Sequence, residues 1–280
     1  MTATTPFGQR LAAAVAAHGP LCAGIDPHPS LLAEWGLTDD PDGLDRFTAG
    51  CVEALAGQVA VVKPQSAFFE RHGSRGIAVL ERLLAGFAGS GTLALLDVKR
   101  GDIGSTMDGY ADAYLAVGAP LGADAVTLSP YLGFGSLEPA LTAAAEAGRG
   151  VFVLARTSNP EGSEVQQATT GVGGSARSVA QGIVDAAAER NAGAEPLGAV
   201  GVVIGATHDH GLDLSALNGP VLAPGVGAQG AGPAEITARF FGLDGLVLPA
   251  AARSLLAAGP DPRAVRAAAH RLRDALTTTV

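Results

Sequence analysis

The sequence predicts an α/β protein in which eight strands and their surrounding helices form one (β/α)8 (TIM) barrel domain over residues 1–280. Three observations predict this fold. The chain has 280 residues, of which 48% are hydrophobic, so it can bury a large core. Short apolar runs alternate with longer Ala- and Leu-rich segments along the whole chain. The short runs are continuously apolar, which indicates strands buried on both faces, as in a parallel sheet covered by helices.

Each predicted strand is an apolar run that ends in a polar, Gly or Pro residue. In chain order the strands are 21–25, 59–63, 93–97, 125–128, 151–155, 199–204, 221–223 and 246–248. The predicted helices are 6–17, 44–57, 75–88, 106–117, 136–147, 175–191, 232–240 and 262–276. Eight repeats favour a closed barrel over an open doubly wound sheet. The Gly-, Ser- and Gln-rich stretch 161–174 is the longest predicted loop, and we leave open whether it is a mobile substrate cover or a surface insertion.

Charge and composition exclude several classes of protein. The net charge is −9 and the arginines are scattered, which argues against a nucleic-acid partner. No apolar stretch approaches the roughly 18 to 20 residues needed to cross a membrane, and the first residues lack the pattern of a signal peptide. Cys22 and Cys51 are too few for a disulfide framework and lack zinc-site spacing. We therefore expect a cytoplasmic protein with reduced thiols.

The chain contains sixteen arginines but only two lysines, Lys63 and Lys99, and both lie at the ends of predicted strands. A lowered pKa would let lysine, unlike arginine, release a proton near neutral pH, which would explain why these two lysines are kept; their retention by chance is the alternative. Residues two apart in a strand point to the same face, so Asp97 and Lys99 should lie side by side, with Asp102 in the next turn. Lys63 should lie about 5 Å away, on the neighbouring strand. We predict a charged active-site cluster at the barrel rim; a solvated surface cluster is the alternative.

This cluster carries a resemblance to a known family. The string Asp97-x-Lys99-x-x-Asp102, followed by Ile-Gly-Ser-Thr106, resembles the signature of the orotidine 5′-phosphate decarboxylase family. The segment Lys63-Pro-Gln-Ser-Ala-Phe-Phe-Glu is similar to the one that carries the other active-site lysine in the longer bacterial, type 2 subgroup. The Asp-x-Lys-x-x-Asp string alone is shared with other decarboxylases and synthases of the suprafamily.

Further matches extend over most of the chain. Residues 23–27 resemble the ribose-binding segment of the first strand, and 156–160 resemble the turn that contacts the pyrimidine. Residues 223–230 are similar to the phosphate loop, and Arg253 corresponds to the phosphate-binding arginine after the eighth strand. In this order the matches are specific for the family.

The resemblance implies the last step of pyrimidine nucleotide synthesis, in which orotidine 5′-phosphate loses CO2 to give uridine 5′-phosphate without a metal or other cofactor. Lys99 is expected to stabilise and protonate ring carbon C6, which loses CO2, while Asp97 and Asp102 hold it and keep it charged. Lys63 is expected to extend the network and bind the ribose. The resemblance also implies a homodimer in which Asp102 and Thr106 complete the site of the partner subunit.

Five further residues are expected to bind the substrate. By resemblance, Asp26 contacts the ribose and Ser158 contacts the pyrimidine. As an isolated residue, Asp26 is equally typical of a loop or helix cap, and the alternative role of Ser158 is to cap the following turn. Gly227, Gln229 and Arg253 fall after the seventh and eighth strands, where barrels commonly bind phosphate through backbone N–H groups and a forked guanidinium. Position 252 is Ala, where many relatives have Gly, so a backbone phosphate contact there is left open.

The sequence leaves two alternatives open. One is a sugar-phosphate decarboxylase or synthase of the same suprafamily that uses Mg²⁺ near the Asp-x-Lys-x-x-Asp string, and an excess of chelator would stop that enzyme only. The other is a nucleotide-binding protein that has lost turnover. We do not expect His208-Asp209-His210 to bind a metal ion, because neighbouring residues of an extended segment alternate in direction and no third ligand is apparent.

Overall fold

Eight parallel strands form a closed barrel, as the sequence predicts. The computed structural model describes residues 4–171, 176–227, 232–240, 242–243 and 247–277. Each barrel strand pairs with its neighbours in chain order, and the last pairs with the first. The strands are β1 Cys22–Ile25, β2 Val61–Pro64, β3 Leu93–Arg100, β4 Ala125–Leu128, β5 Gly150–Arg156, β6 Val200–Ile204, β7 Val221–Pro224 and β8 Val247–Ala251.

Helices follow the strands and cover the outside of the barrel. The longer helices are Phe7–His18, Pro41–Leu55, Gly73–Phe87, Gly104–Tyr114, Glu138–Ala147, Val179–Asn191, Pro233–Arg239 and Pro262–Thr277. The shorter ones are Pro29–Glu34, Ala67–Glu70, Ser163–Gln166 and Arg253–Leu256, with 3-10 turns at Phe134–Leu137 and Pro160–Gly162. Among the described residues, no helix combines the length and apolarity needed to cross a membrane.

The leading helix packs against the amino-terminal end of the barrel. The ring of Phe7 meets that of Phe152 edge to face, with their centroids 6.1 Å apart. Gly150 leaves room for this contact, since a Cβ there would lie 2.3 Å from the Phe7 ring. Side chains of the leading helix and of the strands form one apolar cluster, and a second, larger cluster lies between the strands and the outer helices. The carboxyl ends of the strands are therefore the end available for a site.

Two local differences from the sequence prediction bear on function. Strand β3 runs on to Arg100, with a register shift against β4 between Leu96 and Arg100. Stretch 161–174 is not simply a loop, because it contains helix Ser163–Gln166 and a strand, Thr169–Thr170, that pairs with Arg177–Ser178. Elements this short leave no periodic pattern in the sequence. Residue 246 of the last predicted strand, residues 172–174 of the predicted loop and residue 175 of the predicted helix 175–191 lie outside the described part of the chain.

Candidate active site

The carboxyl ends of the strands surround a cavity of about 480 Å³. It lies at the barrel end where the sequence analysis places the charged cluster. Residues at the ends of most of the eight strands line this cavity, among them Gly24, Asp26, His28, Lys63, Gln65, Asp97, Lys99, Thr127, Thr157, Ser158, Asn159, Gly225, Val226, Ala252 and Arg253.

The carboxylate of Asp97 is the centre of the charged cluster. Its Oδ2 accepts a hydrogen bond from Lys63 Nζ at 3.0 Å, and its Oδ1 accepts one from Lys99 Nζ at 2.6 Å. Thr127 on β4 donates its hydroxyl to the same Oδ1 at 2.8 Å. The side chains of Lys63 and Asp97 are each 8% exposed, whereas that of Lys99 is 45% exposed. Of the two ammonium groups, that of Lys99 is therefore the more accessible to a ligand in the cavity.

The contacts of Gln65 show that the ammonium groups of Lys63 and Lys99 lie close together. Its Oε1 is 3.5 Å from the Nζ atoms of both Lys63 and Lys99, so these atoms are separated by no more than twice that distance. The backbone of Gln65 forms a β-bridge with Asp97, which holds the ends of β2 and β3 together. The sequence prediction that Lys63 joins Asp97 and Lys99 in space is thus confirmed by the geometry.

The charges of the buried pair are fixed by their mutual attraction. Burial by itself lowers the pKa of Lys63, but the negative charges of Asp97 and then Asp26 outweigh burial and raise this pKa above its ordinary value. Burial by itself raises the pKa of Asp97, but Lys63, Lys99 and the hydrogen bonds to the carboxylate lower it to about 2. Lys63 is charged at neutral pH. The idea that a lowered pKa explains the choice of lysine is therefore wrong for Lys63.

The backbone of Lys99 departs from a regular strand. Its φ is +45°, and in the described part of the chain only Asn218 shares a positive φ among non-glycine residues. The N–H of Lys99 donates to Thr127 Oγ1 at 3.0 Å. Asp97 and Lys99 do meet, as predicted, but through an irregular strand end rather than through simple two-residue alternation. A positive φ in a bulky residue is a strained conformation, and such strain is concentrated at functional sites.

Two of the predicted substrate-binding residues, Asp26 and Ser158, line the cavity just after strands β1 and β5. Asp26 follows β1, and its Oδ1 lies 4.0 Å from Lys63 Nζ. That oxygen is buried and has no hydrogen-bond partner, which leaves it able to accept a bond from a hydroxyl. Ser158 lies in the turn after β5, between Thr157 and Asn159, and all three line the cavity.

The predicted phosphate loops are only partly described. Arg253, Gly225 and Val226 line the cavity, whereas Gly227 is described but does not. Gly225 and Gly227 have φ of +112° and +76°, which explains glycine at both positions. Gln229 lies outside the described residues.

Ala252 also lines the cavity, and its backbone does not require glycine. Its φ is −120°, outside the positive range that favours glycine. A Cβ on Gly24 would lie 2.6 Å from the Ala252 methyl group, so the two residues share one small space beside Arg253. Alanine at position 252 is therefore accommodated by glycine at position 24.

Asp102 and Thr106 do not join the cluster within one chain. Among the described residues, neither lines the cavity, and Asp102 Oδ1 instead accepts a hydrogen bond from the N–H of Ile103 at 2.8 Å. The expectation that Asp102 holds Lys99 is therefore not met inside a single subunit. Their expected contribution to a partner subunit stays a prediction.

The two histidines after β6 do not line the cavity and form hydrogen bonds with residues near them. His210 accepts a hydrogen bond at Nδ1 from the N–H of Leu212, and its Nε2 lies 3.0 Å from the carbonyl oxygen of Arg239. His208 Nδ1 lies 2.9 Å from Thr207 Oγ1. Within the described ranges, no group of three His, Cys, Asp or Glu side chains is placed to hold a metal ion.

Two polar side chains that organise the cluster were not predicted from the sequence. Gln65 lies two residues after Lys63, so strand alternation could have placed it on the same face. Thr127 lies inside an apolar run, and its contact with Asp97 depends on the register between β3 and β4, which the sequence does not reveal.

The chain is similar to proteins of one family over most of its length. The model of the orotidine 5′-phosphate decarboxylase / HUMPS family matches residues 19–269. A protein of Salinispora arenicola named orotidine 5′-phosphate decarboxylase is 60% identical over 267 residues, 95% of each chain. One of the same name from Streptomyces coelicolor is 54% identical over 279 residues, 98% of each chain.

A solved structure supports the same relationship. It belongs to a Streptomyces avermitilis protein provisionally named orotidine 5′-phosphate decarboxylase, with a TM-score of 0.95 and 53% identity. The alignment covers 100% of this chain and 97% of that one. The resemblance seen in the sequence motifs is confirmed, and the chain belongs to the orotidine 5′-phosphate decarboxylase / HUMPS family.

Proposed function

We infer that this protein is an enzyme that converts orotidine 5′-phosphate to uridine 5′-phosphate and CO2, the last step of pyrimidine nucleotide synthesis. Its relatives of 54 to 60% identity over nearly the whole chain carry that activity in their names. The single observation that carries the inference is the half-exposed ammonium of Lys99, held on the buried carboxylate of Asp97 inside a cavity that Arg253 also lines.

The reaction requires a positive charge beside the ring carbon. When C6 of the orotate ring loses CO2, the bonding electron pair stays in the ring plane, where the π-system does not delocalise it. One ammonium at about 4 Å contributes about 4 kcal/mol at an effective dielectric constant near 20. Lys99 is the group proposed to supply this charge.

Lys99 is also the proposed proton donor. The bond between C6 and the carboxylate carbon breaks, CO2 leaves, and the electron pair on C6 takes a proton from Lys99 Nζ. The neutral amine then regains a proton from water. Lys63 is a poorer donor because its side chain is 8% exposed and the attraction of Asp97 and Asp26 raises its pKa. Its proposed role is to hold Asp97 in place and to bind the ribose.

The remaining residues are proposed to bind three parts of the substrate, namely the ribose, the pyrimidine and the phosphate. Asp26 is proposed to accept a hydrogen bond from a ribose hydroxyl, because its buried Oδ1 has no hydrogen-bond partner. Ser158 is proposed to contact the pyrimidine. Arg253, with Gly227 and Gln229, is proposed to bind the phosphate, whose binding energy would order the loops rather than break the bond.

The working form is proposed to be a homodimer in which Asp102 and Thr106 reach the partner's site. Thr106 is exposed and Asp102 is partly exposed. Beside them, Ile103 is 61% exposed, and Tyr131, after the adjacent strand β4, is 80% exposed. Large apolar side chains that are this exposed at the rim of a site are typical of a protein–protein contact.

The cytoplasm is the proposed location. Cys22 and Cys51 are both free and buried, which suits a reducing compartment. Burial raises the pKa of Cys22 to about 12, so its thiol stays protonated and unreactive.

The direct test follows the loss of orotidine 5′-phosphate absorbance in the presence of excess chelator. We expect full turnover by the parent and near-complete loss in both Lys99→Ala and Lys99→Arg, since Arg keeps the charge but does not readily donate a proton. Turnover that stops with chelator would indicate the Mg²⁺-dependent alternative. Binding of uridine 5′-phosphate without release of CO2 would indicate a nucleotide-binding protein, and an active Lys99→Arg variant would remove Lys99 as the proton donor.

A further inference from the structure

We propose that Gln166 is a positioning residue that holds the pyrimidine-binding turn, residues 157–159, in its binding conformation. This inference rests on the proposed function, in which Ser158 of that turn contacts the base. Gln166 belongs to the Gly-, Ser- and Gln-rich stretch after β5, to which the proposed mechanism assigns no role. Its side chain lies outside the cavity lining, so its effect on substrate is exerted through the turn.

The carboxamide of Gln166 binds the base of the turn at three points. Its Oε1 accepts hydrogen bonds from the N–H of Thr157 at 3.0 Å and from Arg156 Nη1 at 3.2 Å. Its Nε2 donates to Thr157 Oγ1 at 2.7 Å. The Thr157 hydroxyl in turn donates to Asn159 Oδ1 at 2.7 Å. The chain of bonds therefore runs from Gln166 through Thr157 to both sides of Ser158.

The opposite side of the turn is fixed by backbone packing. The N–H of Gly205, at the end of β6, donates to the carbonyl oxygen of Arg156 at 2.7 Å. A Cβ on Gly205 would lie 2.7 Å from the N atom of Ser158, so glycine lets the two segments touch. The turn is thus held between a barrel strand on one side and the carboxamide of Gln166 on the other.

Gly162 provides the space in which this carboxamide sits. A Cβ at Gly162 would lie 2.9 Å from Nε2 and 3.0 Å from Oε1 of Gln166, and 2.9 Å from Thr157 Oγ1. The backbone of Gly162, with φ −60° and ψ −22°, is one that alanine adopts freely. The close approach to the carboxamide, rather than the backbone conformation, is what glycine permits here.

A turn held in this way does not need to be ordered when the base binds. Binding then avoids the entropy cost of fixing the turn, which favours affinity for the pyrimidine in particular. Lys99 and Asp97 are not connected to Gln166 by any described hydrogen bond. Loss of Gln166 should therefore weaken nucleotide binding while the bond-breaking step keeps its rate.

The test measures KM and kcat for orotidine 5′-phosphate, and Kd for uridine 5′-phosphate and for ribose 5-phosphate, which lacks the base. Gln166→Ala is expected to raise KM and the nucleotide Kd about tenfold, to change kcat less than about threefold, and to leave the Kd of ribose 5-phosphate unchanged. Gln166→Glu keeps both acceptor bonds and is expected to restore most of the affinity. Gln167→Ala is the matched control, because Gln167 is exposed and its side chain makes no hydrogen bond in the described part of the chain.

Gly162→Ala provides an independent route to the same result. The added methyl group is expected to displace the carboxamide and weaken nucleotide binding, although replacing glycine at a compatible backbone position does not by itself lower stability. In the Gly162→Ala/Gln166→Ala double variant the two losses should not add, because both act on one contact. Additive losses, or equal nucleotide Kd for Gln166→Ala and Gln167→Ala, would overturn the proposal.

Parallel measurements on Ser158→Ala separate this proposal from the proposed function. Weaker nucleotide binding in Ser158→Ala together with parent-like binding in Gln166→Ala would overturn the positioning role alone. Parent-like binding in Ser158→Ala would instead remove the proposed base contact. A loss of ribose 5-phosphate affinity in Gln166→Ala equal to the loss for the nucleotide would show a general structural defect and overturn the positioning role. The Kd measurements need no turnover, so a protein without decarboxylase activity still gives a decisive result.

Discussion

Lys63 and Lys99 bind opposite oxygens of the same carboxylate, that of Asp97. The two lysines share one counterion but differ in burial: the Lys63 side chain is 8% exposed and that of Lys99 is 45% exposed. Burial indicates a structural role for Lys63, because moving its charge away from Asp97 would leave an uncompensated charge in the protein interior. Lys99 keeps the exposure that a group acting on substrate requires.

The shared carboxylate predicts a pH-dependent contribution to stability. The pKa of Asp97 is lowered from 3.8 in the unfolded chain to about 2, so its stabilising effect is fully present above about pH 4 and is lost as pH falls through the folded pKa. We expect Asp97→Asn to lower the free energy of unfolding at pH 7 by about 3 kcal/mol, because Lys63 loses its counterion. Between pH 4 and pH 2 the difference from the parent should shrink by about 2 kcal/mol.

Urea unfolding of both proteins at pH 7, 4, 3 and 2 measures this difference. The matched control is Asp102→Asn, because the Asp102 carboxylate is partly exposed and its described bond is to the N–H of Ile103. Its effect on the unfolding free energy should stay within about 0.5 kcal/mol. A difference between the parent and Asp97→Asn that does not change with pH would contradict the assignment.

Thr127 is predicted to hold Lys99 in its strained conformation. The Thr127 hydroxyl accepts from the N–H of Lys99 and donates to the carboxylate that binds the Lys99 ammonium, so one side chain fixes both ends of the residue. Thr127→Val keeps the shape but removes both bonds. We expect kcat to fall about tenfold with little change in KM, and the free energy of unfolding to fall by about 1 to 2 kcal/mol. Thr127→Ser keeps the hydroxyl and should retain most of kcat; a fully active Thr127→Val variant would refute this role.

The barrel and the charged cluster could be predicted because both depend on short-range patterns. Continuous apolar runs fix the eight strands, and charges that close such runs must lie at a barrel rim. The β3 irregularity could not be predicted, since the positive φ of Lys99 goes with a bond from its N–H to Thr127 on a neighbouring strand, and the sequence does not show that pairing. The bonds of Gln166 also escaped prediction, because a side chain in a non-periodic segment leaves no pattern that shows its partner. The expected contact of Asp102 is a third feature that the pattern of one chain does not reveal, because its expected partner belongs to another subunit.

Gly24 and Ala252 are predicted to be coupled, which addresses the alanine that precedes the phosphate-binding arginine. A methyl group on Gly24 would lie 2.6 Å from the Ala252 methyl group and 3.2 Å from its Cα. Gly24→Ala should therefore lower the free energy of unfolding by about 1 to 3 kcal/mol and raise KM, because Arg253 follows directly. Adding Ala252→Gly should restore most of both losses. Urea unfolding and steady-state kinetics of the single and double variants check this; strictly additive losses would contradict the shared space.

The proposed homodimer predicts that two inactive variants restore each other's activity. If Asp102 completes the partner's site, Lys99→Ala and Asp102→Ala are each inactive as pure homodimers. In a mixed dimer, one site combines an intact Lys99 with an intact Asp102 from the other subunit. Random reassociation of equal amounts should give about a quarter of the parent activity, since half of the dimers are mixed and each has one intact site.

Two controls make this complementation decisive. Mixing Lys99→Ala with Asp97→Ala should restore nothing, because Asp97 binds Lys99 within its own chain and no mixed site contains both residues from one intact cluster. Light scattering should give twice the mass of the chain for the parent and for both variants. Full activity of a monomeric parent, or no recovery in mixtures shown to contain mixed dimers, would mean that Asp102 does not act across the interface. Recovery in the first mixture alone would place Asp102 in the partner's site and Lys99 with Asp97 in its own, because only that division of residues rebuilds an intact cluster from two damaged chains.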